Sequence, residues 1–231
     1  NIEAETLLSD NKTTCYRNKA QYPVSFDRQL KIGFFAPRSH RVVDCENCIL
    51  QPPIFADIVK IFRKFIIKNG ITVYDSEKHT GLLRHIYLRL AEATGEVMVC
   101  AVINGEDLPH KNELIEKHTE IPSVKSIVLN IKRDRTNVSL GKECVTVWGN
   151  DRRYDVLCGV KVRLSPLSFY QVNHDMAQQL YEKAAEYACL SGKEPVLDMY
   201  CGAGTLGLSM AKKATRIIGA AIVPVAVLDA Q

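Results

Sequence analysis

Long apolar runs are missing from this chain of 231 residues. The longest, VMVCAVI at 97–103 and IIGAAIVPVAV at 217–227, fall well short of the ~18 residues a membrane-spanning helix needs, so no membrane partner is expected. In NIEAETLLSD, residues 1–10, no basic stretch precedes an apolar one. A secretory leader is therefore not expected, and a cytoplasmic location is the expectation that follows. Internal repeats and low-complexity tracts are also absent, which argues against solenoids and disorder.

What is present is ordinary for a globular protein: 46% hydrophobic and 24% charged residues, in a length with room for one large or two modest domains. The eight cysteines lack a zinc-site arrangement. Cys45 and Cys48 form one C-x-x-C, but no second pair completes a tetrahedral set. The other six are isolated, mostly in apolar surroundings where a reduced, buried thiol is expected.

Acidic residues are scarce in one segment. Between 12 and 41, seven cations (Lys12, Arg17, Lys19, Arg28, Lys31, Arg38, Arg41) face only Asp27, although the net charge of the whole chain is just +4. Tyr16, Tyr22, Phe26, Phe34, Phe35 and His40 lie among them. Cations interleaved with aromatics suit a polyanion whose bases can stack. The bland alternative is a solvated strand face with ordinary core aromatics.

Periodicity divides the chain in two. Residues 13–50 read as extended structure with turns. PPIFADIVKIFRKFIIKNG reads as a helix with proline at its start, Asn69-Gly70 at its end, and an apolar stripe of Ile54, Ile58, Ile61, Phe62, Phe65 and Ile66. LLRHIYLRL alternates Ile86, Leu88 and Leu90 with His85, Tyr87 and Arg89, the period of a half-buried strand. A turn at Thr94-Gly95 makes a hairpin with EVMVCAVI. HKNELIEKHTEI is expected to be a helix, and VKSIVLNI, CVTVWG and GVKVRLS strands, giving an α+β unit over 1–165. Over 166–231 the order is helix, buried strand EPVLDMY, helix TLGLSMAKKA, strand TRIIGAAIV, which is the opening of a doubly wound parallel sheet. So short an opening suggests a piece of a longer protein.

VLDMYCGAGTLGLSMA, at 196–211, raises the question of a cofactor. Gly202, Gly204 and Gly207 satisfy G-x-G-x-x-G, which by itself is weak. A dinucleotide fingerprint also needs an acid roughly 20 residues on, where Ala220 and Ala221 carry no carboxylate. Asp198, at the strand end four residues before Gly202, would repel a pyrophosphate but attract the ammonium of an amino acid. S-adenosylmethionine carries that ammonium. The alternative for Asp198 is a helix-capping or loop carboxylate.

SFYQVNHDMAQQLYEKA followed by VLDMYCGAGTLGLSMA resembles the RNA (uracil-5-)-methyltransferase family, which makes 5-methyluridine in ribosomal or transfer RNA. YRNKAQYPV, GFFAPRSHRVVDCENCILQ, GLLRHIYLR and TNVSLGKE match that family's pattern in order, so the resemblance covers nearly the whole chain. It implies a central α+β RNA-contacting domain at 1–165, then the first part of an α/β Rossmann-like S-adenosylmethionine-dependent methyltransferase domain at 166–231. By matching position, Gln171 and Tyr200 would contact S-adenosylmethionine, and Asp198, Gly202, Gly204 and Thr205 would shape its loop. Cys48 matches the last of four cysteines holding a [4Fe–4S] cluster in many members, and its three partners would precede residue 1.

Two departures from the family pattern stand out: Ala221 replaces the acid expected on the ribose hydroxyls, and Val225 replaces a second one. The resemblance also implies a catalytic cysteine after a D-P-P-R-x-G string and a glutamate base beyond it, neither of which occurs in this sequence. Cys201 is a weak candidate for the nucleophile, because it belongs to the donor loop. Arg17, Lys19, Arg38, His40, Arg84 and Arg89 are the candidates for holding RNA, with 23S rRNA expected first and tRNA second. Two competing readings are a non-catalytic RNA-binding module and a nicotinamide dehydrogenase, in which FYQVN would have no role.

Overall fold

The computed structural model describes residues 6–136 and 138–230. Its larger part is a seven-stranded sheet in the order β3-β2-β1-β4-β5-β6-β7. The strands are β1 (Lys19–Asp27), β2 (Gln29–Phe35), β3 (Val42–Asp44), β4 (Leu83–Ala91), β5 (Glu96–Ile103), β6 (Val124–Ile131) and β7 (Glu143–Gly149). Neighbours are antiparallel except β5 and β6, which run parallel because helix α2 (Lys111–Thr119) carries the chain back between them. α1 (Pro53–Asn69) begins on a proline and ends at Gly70, left-handed at φ 59°. Together the helices cover one face, and Phe55, Ile58 and Phe62 meet Ile86, Leu88, Val99 and Ile127 in the main core.

The expected stripe of α1 is rotated. Phe55 and Val59 are buried, whereas Ile54 and Ile61 are only partly so. The half-buried expectation for β4 is corrected. Tyr87 packs with Met98, Cys100, Val102 and Val128 on the second face, under Leu140 and Cys144. Arg89, on the polar side of the alternation, is 2% exposed.

A hairpin of β8 (Arg153–Leu157) and β9 (Val160–Leu164) follows; sequence periodicity shows only its second strand. Its Leu157, Val162 and Leu164 share a core with Tyr170 and with Ala177 and Tyr181 of α3 (His174–Tyr187). The hairpin therefore packs with the C-terminal elements. Buried Asp155 fixes it further, accepting from the backbone N–H groups of Glu92 and Ala93 and from the Tyr170 hydroxyl.

The last elements are β10 (Pro195–Met199), α4 (Thr205–Ser209), a 3-10 turn at Ala211–Lys213, β11 (Arg216–Ala220) and α5 (Pro224–Ala230). β10 and β11 are parallel neighbours, as expected. The buried-strand reading of β10 is corrected: Leu197 is 61% and Met199 57% exposed. Among the described residues β10 pairs only with β11, so its apolar side chains have one flank covered. No described helix is long and apolar enough to cross a membrane.

Candidate functional site

β10 delivers Asp198 to its C-terminal end, and the chain turns through 200–204 into α4. Tyr200, Gly202 and Gly204 are left-handed, at φ 64°, 55° and 74°. Glycine adopts this at little steric cost, whereas a side-chain-bearing residue such as Tyr200 stores about 1–2 kcal/mol. The Tyr200 ring is 88% exposed, so packing does not explain its position. Backbone bonds from Cys201 N–H to the Ala220 carbonyl (3.0 Å) and from Gly204 N–H to the Cys201 carbonyl (2.8 Å) hold the turn.

Asp198 Oδ2 accepts from the Gly207 N–H at 2.8 Å. The carboxylate thus ties the first turn of α4 to the strand end, as the capping alternative requires. No bond to its Oδ1 is found among the described residues, which leaves that oxygen's acceptor capacity for an ammonium. Gly207 is glycine for a steric reason. A Cβ there would lie 2.8 Å from Asp198 Oδ2 and 3.0 Å from Ile217 Cγ2. The third glycine of the motif therefore serves the contact of helix with strand.

A helix N-terminus lowers a nearby thiol's pKa, yet α4 has only five residues. Burial, and then the Asp198 carboxylate, push the Cys201 thiol above its ordinary range. Neither effect activates it as a nucleophile.

Gln171 comes from the FYQVN segment, whose backbone is held from both sides. Its carbonyl accepts from Asn18 Nδ2 at 2.9 Å, and Asn18 N–H donates to the Val172 carbonyl at 2.9 Å. Tyr170 donates its buried hydroxyl to Asp155 at 3.1 Å. Asn173 caps α3 by accepting from Met176 N–H at 3.0 Å. From α3, Tyr181 reaches the Thr205 hydroxyl at 3.2 Å, so α3 links FYQVN to the donor loop. Gln171 and Asp198 make no side-chain bond to each other among the described residues. Asn18 and Tyr181 were not legible as site supports; the cap at Asn173, directly before a helical pattern, carried a signal.

Ala221 follows β11 directly, and Met199 pairs with Ala220, so Ala221 lies level with Tyr200 at the loop edge of the sheet. Position 221, where the resemblance implies a ribose carboxylate, thus lies at the loop edge and carries no acid. The Val225 side chain lies outside the described residues.

The six cations proposed for RNA divide into three groups. Arg17 and Lys19 line an open groove of about 450 Å³ with Gln21, Cys48, Gln51 and Val172. Burial, then Arg89 and Arg17, push the Lys19 ammonium's pKa down. Arg38 and His40 are exposed on the β2–β3 turn. Arg84 and Arg89 are buried instead: Arg84 Nη1 donates to the carbonyls of Lys132 and Asp134, and Arg89 donates to those of Ser165 (2.9 Å) and Ser168 (2.7 Å). Arg89 is thereby committed to fixing the segment before FYQVN.

Cys48 shares its groove with Arg17 and Lys19. Among the described residues no group of three or more His, Cys, Asp or Glu is placed to hold a metal ion. Cys45 and Cys48 alone do not make the donor set of a cubane cluster, and no chemistry is derived through one.

A strand ending on a carboxylate, a glycine turn, a short helix and a parallel second strand constitute the opening of a S-adenosylmethionine-dependent methyltransferase fold, preceded by an α+β unit. No model of a known protein family matches the sequence. A Clostridium tetani protein named as an uncharacterized RNA methyltransferase is 42% identical over 232 residues, spanning 100% of this chain and 50% of its own length. A Halalkalibacterium halodurans protein of the same description is 43% identical over 233 residues, 100% of this chain and 51% of its own. Among solved structures, the Pyrococcus abyssi tRNA (uracil-54, C5)-methyltransferase in complex with S-adenosyl-L-homocysteine superimposes with a TM-score of 0.82 at 27% identity, covering 97% of this chain and 52% of that one. These findings bear out the resemblance to the RNA (uracil-5-)-methyltransferase family read from the motifs. The chain spans about half the length of the curated relatives it matches.

Proposed function

We propose that this chain supplies the donor-binding and RNA-contacting parts of an enzyme that methylates carbon 5 of a uridine in RNA. The observation that carries the reading is Asp198, tied by one oxygen to Gly207 and without a second partner among the described residues, at the tip of the strand that leads into the glycine turn. S-adenosylmethionine fits that chemistry. Asp198 would hold its ammonium, with Gln171 and Tyr200 flanking it and Gly202, Gly204 and Thr205 shaping the loop. When bound, the donor supplies an electrophilic methyl group on sulfur.

Carbon 5 of uracil is a poor nucleophile, and the family route activates it by adding a cysteine thiolate at carbon 6 before a base removes the carbon-5 proton. The role of this chain's residues in that route is to bind and orient the donor and the RNA. Alone it is proposed to be inactive. The proposed substrate is an unstacked uridine, because the target carbon is hidden in a stacked helix. Ribosomal RNA is proposed first; the tRNA activity named for the Pyrococcus abyssi structure supports the second choice.

Calorimetry of the intact protein with S-adenosylhomocysteine tests the reading. Asp198→Ala and Gln171→Ala should each weaken binding by about tenfold or more, as loss of a charge-assisted or buried polar contact does. Undiminished affinity in both variants, or tight binding of NAD in place of the nucleoside, would refute it.

A further inference from the structure

A second pocket opens on the seven-stranded sheet, and none of its residues comes from the donor loop or the FYQVN segment. It encloses about 170 Å³ between Phe35, His40, Tyr74, Arg84 and His85, with Ser25 at its edge. Its aromatic rings are arranged edge to face. Phe35 meets His40 at 5.8 Å and 87°, and His85 at 6.5 Å and 83°. Arg84 lies 3.9 Å over the Tyr74 ring.

Three features identify the occupant. The first is size: cavities near 150 Å³ admit one benzene-sized ring, while cofactor and drug sites start at about 300 Å³. One ring system fits and a dinucleotide does not. The second is the lining. Phe35 lines the pocket and is 47% exposed, so it offers a stacking surface, and burial with Arg84 and Lys132 nearby pushes the His85 imidazole down to about 4, leaving it neutral beside that ring. Arg84, stacked on Tyr74, adds a fixed positive charge to the wall. The third is position. On β1, Lys19, Gln21, Pro23 and Ser25 share one face, and Lys19 and Gln21 line the basic groove while Pro23 and Ser25 line this pocket. From Lys19 to Ser25 is roughly 20 Å of strand. Groove and pocket are thus two stations along one track, cationic at one end and aromatic at the other.

We propose that this pocket takes a single unstacked base of single-stranded RNA, stacked on Phe35, whose sugar–phosphate chain continues along β1 to the groove at Arg17 and Lys19. The inference rests on the RNA-substrate reading above and adds a second base contact to it. Stacking of this kind is tolerant of base identity, and the polar neighbours of the ring supply hydrogen-bond partners.

The test is a coupling measurement on the intact protein. Short single-stranded RNAs, each carrying one abasic ribose at a different position, are titrated by fluorescence anisotropy against the unaltered protein and against Phe35→Ala. At one position the abasic site should weaken binding to the unaltered protein by about tenfold and leave Phe35→Ala binding unchanged, as for the loss of one stacked base. Phe35→Leu keeps the apolar bulk without the ring and should behave as Phe35→Ala. It stands in should the alanine variant fail to melt like the parent. Equal abasic penalties in parent and variants at every position overturn the pocket while leaving RNA binding intact. Absence of RNA binding by the parent at low salt overturns both the pocket and the RNA reading.

Discussion

Arg89 shows how one cation can be drawn into structure. Its pattern position, on the polar side of an alternating strand in a basic region, is the same as that of an RNA contact. The fold instead aims both terminal nitrogens at the carbonyls of Ser165 and Ser168. Arg89→Met should therefore destabilise the protein by about 3 kcal/mol, read from the urea midpoint, because it removes two charge-assisted bonds inside a dry site. An unchanged midpoint would return Arg89 to the surface candidates. Ala221 presents the opposite case, a position at the loop edge of the sheet that carries no carboxylate. If the proposed donor lies with its ribose at this edge, a carboxylate introduced by Ala221→Glu should raise affinity for S-adenosylhomocysteine by about tenfold, the worth of one charge-assisted hydrogen bond. Calorimetry showing no gain would mean that the ribose does not lie at this edge.

Among the elements, α4 and β10 are fastened by the smallest residue between them. Gly207→Ala places a methyl group within 3.0 Å of both the Asp198 side chain and Ile217, so either the helix lifts or the carboxylate turns away. The expected result is a loss of about 1–3 kcal/mol in stability, the usual cost of overpacking, together with weaker donor binding, because Asp198 loses the N–H that orients it. Thermal melting with and without S-adenosylhomocysteine separates the two effects. A variant that melts and binds like the parent would show that the contact has slack. β4 makes a related point about elements: its alternation predicts one wet face, but Leu140 and Cys144 cover the second face from beyond the strand. Nothing local to 83–91 could announce a cover supplied from 140–144.

For the molecule as a whole, one buried histidine and one half-buried histidine set a pH dependence. Burial pushes His118, fully enclosed under α1, and His85 down to about 4. In the unfolded chain both take up a proton near pH 6.5. Between pH 6.5 and 4 the unfolded state therefore binds more protons, and stability falls as the pH is lowered through that window and is flat above it. For His118 the loss amounts to roughly 3 kcal/mol. Urea midpoints at pH 7.5 and 4.5 measure it, and His118→Gln should remove part of the difference. Equal midpoints for parent and variant at both values would contradict the burial.

The sequence by itself determined the α+β beginning, the parallel pair at the end, and the glycine turn with Asp198 before it, because periodicity, turn residues and motif spacing are local. It also placed a carboxylate where an ammonium is favoured over a pyrophosphate, while its bond to the Gly207 N–H came only from the fold. Only the tertiary structure decided that Arg84 and Arg89 are spent on backbone carbonyls, that Asn18 holds the FYQVN segment and Tyr181 the start of α4 from distant parts of the chain, and that Phe35 and His85 meet across β1. Those outcomes depend on contacts between residues tens of positions apart, where burial and hydrogen-bond partners are set by what packs alongside, and no pattern within a single segment encodes its neighbour.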